Sequence, residues 1–338
     1  MDRKAVARET LNIMRQGYYE IEDGSMIKRI EVAKDMERSV SQSILITPDQ
    51  GEEILRKYEA EDGLGGLCVT DWRNQKETPG RSDGMDQENQ GESPDRSKEK
   101  EKQKEKLHHA GGGSDGYHEE NRMRTETYNI STVDAIRMLA QEGRQGIGVL
   151  NFASAKNPGG GFINGAMAQE ESLAASSTLY RTLTAHEEYY RENRARSSMM
   201  YTDYGIYSPD VTFFRDGKFK LVEKPVYASC LTLPAVNMGQ VLLKGEDEDE
   251  AKRVMRRRMK LALAIFAEYG AKNLVLGAYG CGVFRNDPVQ VAVWWKEIME
   301  EGFERFFESV VYAVLDKSRG GACIRAFQEA MGELVLAP

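Results

Sequence analysis

Hydrophobic positions in the second half of the chain fall into two alternating patterns. Short apolar runs bounded by polar or glycine-rich turns predict buried strands at Tyr128–Ile130, Ile147–Phe152 (IGVLNF), Val226–Val236, Asn273–Ala278 (NLVLGA) and Ser309–Leu315. Between them, longer amphipathic stretches predict helices at Thr132–Gly143, Ala168–Leu183, Ala251–Gly270 and Ala322–Met331. Asp287-Pro288 is a further helix start, with the acid as N-cap and the proline in the first turn. Near the N-terminus, ARETLNIMRQGYY predicts a helix that stops at about Gly17, and the rest to Thr70 mixes strand-like runs (ILI, LCVT) with turns. Strands alternating with helices imply an α/β fold with a mostly parallel sheet covered on both faces. In such sheets ligands sit at the carboxyl ends of the strands.

One segment breaks the pattern. Positions 73–127 contain only Met85, Leu107, Ala110, Tyr117 and Met123 as hydrophobic residues, and ten of the twelve residues from Asp95 to Lys106 are charged. Such a stretch buries too little apolar area to offset its ordering entropy. It is read as a disordered insert, 73–126, between an N-terminal extension (1–72) packed on the core and a core domain (127–338).

Composition narrows the function classes. The 338 residues carry a net charge of −8, so direct nucleic-acid binding through a basic surface is not expected. The longest apolar run, LALAIFA at 261–267, is far short of the ~20 residues of a membrane span. The N-terminus has no apolar core of a secretory signal, and Cys68, Cys230, Cys281 and Cys323 are widely spaced without a CxxC. A cytoplasmic location, no disulfide framework and no metal site are the expectations.

The candidate chemistry lies in two glycine turns. Gly159-Gly160-Gly161 follows a predicted strand and precedes a predicted helix, a place where backbone N–H groups approach a phosphate closely. Neither the Walker nor the GxGxxG spacing is present. Gln169, Glu170 and Glu171 follow within a dozen residues. Adjacent glutamates on a helix diverge by about 100°, and their repulsion beside a diphosphate is expected to raise one pKa, as a general acid requires. The other reading is a solvated helix start whose acids complement the dipole. The second turn, YGCGVF, leaves the strand at 273–278 at the same sheet edge.

The stretch NFASAKNPGGGFINGAMAQEESL resembles the signature of the microbial-type poly(ADP-ribose) glycohydrolases, a branch of the macrodomain fold. TDYGIYSPDVTFFRD (202–216), LPAVN (233–237) and LGAYGCGVFRNDP (276–288) add to the resemblance, which covers roughly 127–330 and, weakly, the N-terminal helix. It implies a macrodomain-like three-layer α/β/α sandwich with a mixed, mostly parallel sheet. It further implies Glu171 as catalytic acid/base and Glu170 as its ribose-binding partner. Gly159, Gly160 and Gly161 would wrap the diphosphate and distal ribose. Gly280, Cys281 and Gly282, with Val283 in the same turn, would form a second phosphate loop, and Phe284 would stack on adenine. Ser154 and Asn157 would line the first loop, Gln169 would hold the glutamates, and Phe162 and Ala166 would shape the pocket. The implied activity is metal-free, cofactor-free hydrolysis of ADP-ribosyl O-glycosidic bonds. One carboxyl group protonates the leaving oxygen and then acts as base for water. The implied partners are ADP-ribose and ADP-ribosylated protein or poly(ADP-ribose).

Two rival readings stand beside it. One is a macrodomain that holds ADP-ribose without hydrolysis. The other is a hydrolase of mono-ADP-ribosylated protein or of small ADP-ribose derivatives, the latter a different enzyme class such as a phosphatase or deacetylase. Product analysis with polymer against mono-ADP-ribosylated protein separates them. Of the remaining conspicuous residues, His186 and Arg256 to Arg258 read as surface, Cys281 as a packing choice, and Trp294-Trp295 as helix core on one side. Tyr201, Tyr204 and Tyr207 read equally as pocket rim or loop packing.

Overall fold

Asp2 opens the first helix by accepting the Lys4 and Ala5 N–H groups, and α1 (Arg3–Gln16) ends where Gly17 takes a left-handed φ of 83°. This computed structural model describes residues 2–24, 26–59 and 123–332; nearly all of the 73–126 segment, the LCVT run and Cys68 lie outside the described residues. After α1 come β1 (Tyr18–Asp23), β2 (Met26–Glu31), α2 (Ala33–Gln42), β3 (Ile44–Ile46) and α3 (Pro48–Glu59). The chain resumes with β4 (Arg124–Tyr128), α4 (Thr132–Gln141), β5 (Ile147–Phe152), α5 (Gln169–Ser176), α6 (Leu179–Thr184) and α7 (Glu187–Ala195). Then follow β6 (Gly205–Arg215), β7 (Leu221–Leu233), α8 (Met238–Lys244), α9 (Glu248–Glu268), β8 (Asn273–Leu276), α10 (Pro288–Glu300), β9 (Ser309–Ala313) and α11 (Ala322–Met331).

β1 and β2 pair as a separate hairpin, and the other strands form one sheet in the order β3-β6-β7-β5-β8-β9-β4. The pairs from β7 through β4 are parallel, whereas β6 runs antiparallel to both β7 and β3. Side-chain alternation divides the core between the two faces. Leu150, Leu274, Leu276, Val310 and Tyr312 pack with residues of α3, α9, α10 and α11. Val149, Val275 and Val311 pack with residues of α4, α5, α6 and α7. The result is the three-layer sandwich expected. Among the described residues no helix is long and apolar enough to cross a membrane.

Several local expectations need correction. β4 starts at Arg124, so its first three residues fall inside the 73–126 range, and Asn129 and Ile130 lie beyond its end. The predicted 168–183 helix is two helices. Ser177 is extended (φ −149°, ψ −178°) and bridges Phe213, and Thr178 N–H donates to the Thr212 carbonyl at 3.0 Å. The Ser177 hydroxyl donates to the Leu173 carbonyl (2.7 Å) and accepts the Leu179 N–H (3.2 Å), so it closes one helix and opens the next. β6 was not predicted because Ser208-Pro209-Asp210 interrupts its pattern. The interruption is a bulge: the register with β7 shifts between Ser208 and Val211, and Asp210 has a φ of 48°.

The N-terminal extension is built into the core. β3 pairs with β6 at the sheet edge. Val6 and Ala7 of α1 pack with Phe162, Ala174 and Ala175. Arg215, 2% exposed, donates to the Glu9 carboxylate at 2.7 Å and to the Phe219 carbonyl at 2.9 Å. α1 therefore supports the segment that follows the first glycine turn.

Candidate active site

β5, β8 and β7 end side by side, and a turn leaves each at its carboxyl end. The first turn follows β5. Gly159 and Gly160 have φ of 66° and 58°, and a 3-10 turn at Phe162–Asn164 completes the loop. Gln169, the first residue of α5, behaves like an extra length of strand. Its Oε1 accepts the Phe152 N–H (2.9 Å) and its Nε2 donates to the Leu150 carbonyl (2.8 Å). That pair of bonds docks the start of α5 onto the end of β5 and sets the direction of both glutamates.

The glutamates diverge, as adjacent helical residues must. Glu170 turns inward and is 2% exposed. Its Oε2 accepts the Ser154 N–H at 2.6 Å, and Asn151 Nδ2 lies 3.4 Å from its Oε1. Among the described residues, the groups that chiefly set its ionisation include no cation. Burial pushes its carboxyl up to about 8. Hydrogen bonds from Ser154, Asn151 and Gly159 oppose that rise, and the charge of Glu171 adds to it. Burial, not the mutual repulsion expected from sequence, is the leading cause. Glu171 faces the glycine turn. Its two oxygens accept the Gly161 and Ala168 N–H groups, each at 2.9 Å, the second being a bond back from the third helical residue to the residue before the helix.

The second turn follows β8. Gly280 has a φ of 73°, and a Cβ there would lie 2.7 Å from that of Ala235. Asn286 Nδ2 donates to the carbonyls of Val236 (2.8 Å) and Gly280 (3.0 Å), tying this turn to the one after β7. Trp295 Nε1 donates to the Gly277 carbonyl at 3.1 Å from beneath. The Phe284 carbonyl accepts the Gly239 N–H of α8 at 3.0 Å.

Between the turns lies a cleft of about 660 Å³. Ser154, Asn157, Gly160, Gly161, Gln169, Glu170, Glu171, Gly280, Gly282, Val283 and Phe284 all line it. Gly159 and Cys281 do not. A Cβ at Gly159 would meet the Phe162 ring at 2.9 Å, so this glycine serves loop packing. The Cys281 Sγ turns toward the Tyr279 carbonyl (3.7 Å), and burial pushes its thiol well above the ordinary range. Phe162 is buried under the loop rather than in the wall, where Ile163 and Asn164 stand instead. Tyr180 and Ala235 also line the cleft and were not singled out from sequence. Asn151 was missed as well, although a lone amide in the apolar run IGVLNF is a legible signal. It is fully buried, donates to Thr232 Oγ1 at 3.1 Å, and its Oδ1 has no hydrogen-bond partner among the described residues.

Of the conspicuous residues outside the cleft, Arg258, His186 and Tyr207 depart from expectation, whereas Trp295 follows it. Arg258 is 1% exposed, not on a solvated face, and pairs with Asp203 at 2.8 Å. His186 is half-buried, its Nε2 2.7 Å from Ser43 Oγ. Trp295 is buried. Tyr207 stacks on Tyr269 in the core with ring centroids 4.4 Å apart.

The arrangement matches known proteins. The profile of the microbial-type PARG catalytic domain matches residues 7–216. A search of curated proteins finds no match. Among solved structures, the poly(ADP-ribose) glycohydrolase from Thermomonospora curvata is 31% identical, covering 97% of this chain and 98% of that one, with a TM-score of 0.75. The same enzyme bound to the inhibitor ADP-HPD aligns at 30% identity over 97% and 98%, TM-score 0.74. The Deinococcus radiodurans enzyme in complex with ADP-ribose is 32% identical over 88% of this chain and 96% of that one, TM-score 0.67. This chain thus belongs to the microbial-type poly(ADP-ribose) glycohydrolase family.

Proposed function

We propose that the protein hydrolyses ADP-ribosyl O-glycosidic linkages and releases ADP-ribose, with Glu171 as the acid/base. One observation carries the assignment of the residue: Glu171 is held by the N–H of Gly161, so its carboxyl group sits against the turn suited to the diphosphate. A sugar attached to that diphosphate then lies within reach. Breaking the bond passes through an oxocarbenium-like state. Glu171 protonates the departing oxygen and then takes a proton from the attacking water, while the diphosphate stabilises the cationic ribose. Glu170, whose carboxyl burial pushes up to about 8, holds a ribose hydroxyl. Gly160, Gly161, Gly280 and Gly282 leave the diphosphate room to approach the backbone of both turns, and Phe284 receives the adenine.

Poly(ADP-ribose) and ADP-ribosylated proteins are the proposed substrates. Free thiols at Cys230, Cys281 and Cys323 suit the proposed cytoplasmic location. We also take the chain from Arg124 onward as the catalytic core, with the N-terminal elements α1 to α3 as an extension packed on it, a division supported by the pairing of β4 with β9 and by the contacts of α1 under the first turn. The test is release of free ADP-ribose from purified polymer and from mono-ADP-ribosylated protein in parallel. Release from polymer supports the reading. Tight ADP-ribose binding with no release from either substrate overturns it in favour of a non-hydrolytic binder.

A further inference from the structure

Two residues other than glycine hold left-handed backbone beside the Phe284 ring: Tyr201 at φ 58° and Arg285 at φ 59°. Such a conformation costs about 1–3 kcal/mol and persists where the surroundings over-determine it. Around Tyr201 they do. Arg258 donates through Nη1 to the carbonyls of Met200 (2.8 Å) and Pro234 (3.0 Å), and through Nε to Asp203 Oδ1 (2.8 Å). Arg257 closes on the other Asp203 oxygen. Glu246 accepts the Met199 N–H (3.0 Å) and the Ser198 hydroxyl (2.6 Å). Asn193 Oδ1 accepts both the N–H and the hydroxyl of Thr202, each at 2.9 Å.

The residues on both sides of Tyr201 are therefore tied down, and its ring direction follows. The ring lies 6.0 Å from the Phe284 ring, inclined at 42°. Its hydroxyl accepts Asn237 Nδ2 at 3.5 Å. Tyr201 does not line the cleft, whereas Phe284 does. A glycine would hold this backbone without strain; the chain places a large aromatic residue there.

We propose that Tyr201 is a positioning residue: the segment anchored by Arg258 presses its ring against Phe284 and fixes the aromatic face that receives the adenine. The inference rests on the proposed function above. It makes Tyr201 a determinant of affinity for the base half of the substrate and not of bond cleavage.

Tyr201→Gly tests it, because the change relieves the backbone while deleting the ring. Its melting temperature should equal or exceed that of wild type. Its ADP-ribose affinity should fall about two- to ten-fold, the size of an aromatic pair. KM should rise by the same factor with kcat within about two-fold. Competitive inhibition by ribose 5-phosphate, which lacks the base, should not change. Tyr201→Asn, which also tolerates this backbone, should behave like Tyr201→Gly, and Tyr201→Phe like wild type. The inference is overturned if both ring-deleting variants bind ADP-ribose as wild type does, or if kcat falls at constant affinity. Equal weakening of ribose 5-phosphate inhibition overturns it too. Wild-type protein that fails to bind ADP-ribose overturns the underlying functional reading itself, a result visible before any variant is compared.

Discussion

Gly160 and Glu171 compete for one space: a Cβ added at Gly160 would lie 2.4 Å from Glu171 Oε1. This explains why three glycines stand ten residues from a pair of carboxylates. The turn must leave room at Gly160 for the Glu171 carboxylate, which accepts the neighbouring Gly161 N–H at 2.9 Å, and it must pass through left-handed backbone there. Only a residue without a side chain meets both demands at a φ of 58°.

Gly160→Ala should therefore damage chemistry as well as binding. The methyl group displaces the carboxylate, and a misplacement of about 1 Å can lower a rate roughly 10²-fold. The left-handed backbone adds a destabilisation of roughly 1–2 kcal/mol for any residue with a Cβ. Steady-state kinetics and a melting curve check both parts. A variant with normal kcat removes the steric argument.

Glu171→Gln keeps the size of the side chain and deletes proton transfer, although its amide accepts only one of the two N–H groups that Glu171 accepts. Single-turnover release of ADP-ribose should fall by roughly 10²- to 10⁴-fold, the range for a positioned acid/base. Binding of ADP-ribose should hold or improve slightly, because a negative charge near the diphosphate is gone. Release close to the wild-type rate would move the acid/base role elsewhere.

Glu170 makes stability depend on pH in a direction opposite to that of a salt-bridged acid. Its carboxyl is raised from 4.5 to about 8, chiefly by burial. Between those values the folded protein retains a proton that the unfolded chain has released. The contribution is therefore full below a pH of 4.5 and is lost as pH rises through about 8. Glu170→Gln is neutral throughout, so its melting temperature relative to wild type should climb across that interval. Parallel melting profiles from about pH 5 to 9 would show that Glu170 is already ionised in the fold.

Phe284→Ala should weaken ADP-ribose binding by about 1–3 kcal/mol, the usual worth of an aromatic face under a base. KM should rise more than kcat falls. A loss confined to kcat would place this ring at the reacting ribose.

Much of this protein was legible because its signals are local. β5 and α11 have the predicted ends, and Asp287 caps α10 by accepting the Val289 N–H at 3.0 Å. Apolar periodicity, a capping acid and a C-terminal glycine act within one or two turns, so the chain states them without reference to neighbours. The two glycine turns were legible for the same reason: each follows a strand whose own pattern is clear, and parallel pairing of β5 with β8 brings their ends together.

What tertiary structure alone decided is burial. Nothing in QEE says that Glu170 turns under β5 while Glu171 stays at the turn; Gln169 docking on Phe152 and Leu150 makes that choice. Arg258 has half-buried basic neighbours in sequence, yet it is fully enclosed because Asp203 and two carbonyls from distant segments converge on it. The break at Ser177 depends on a bridge to Phe213, a strand residue 36 positions away, in a strand whose bulge hid its pattern. Desolvation, ion pairing and strand addition are set by what packs from other parts of the chain, and a linear pattern carries no record of that.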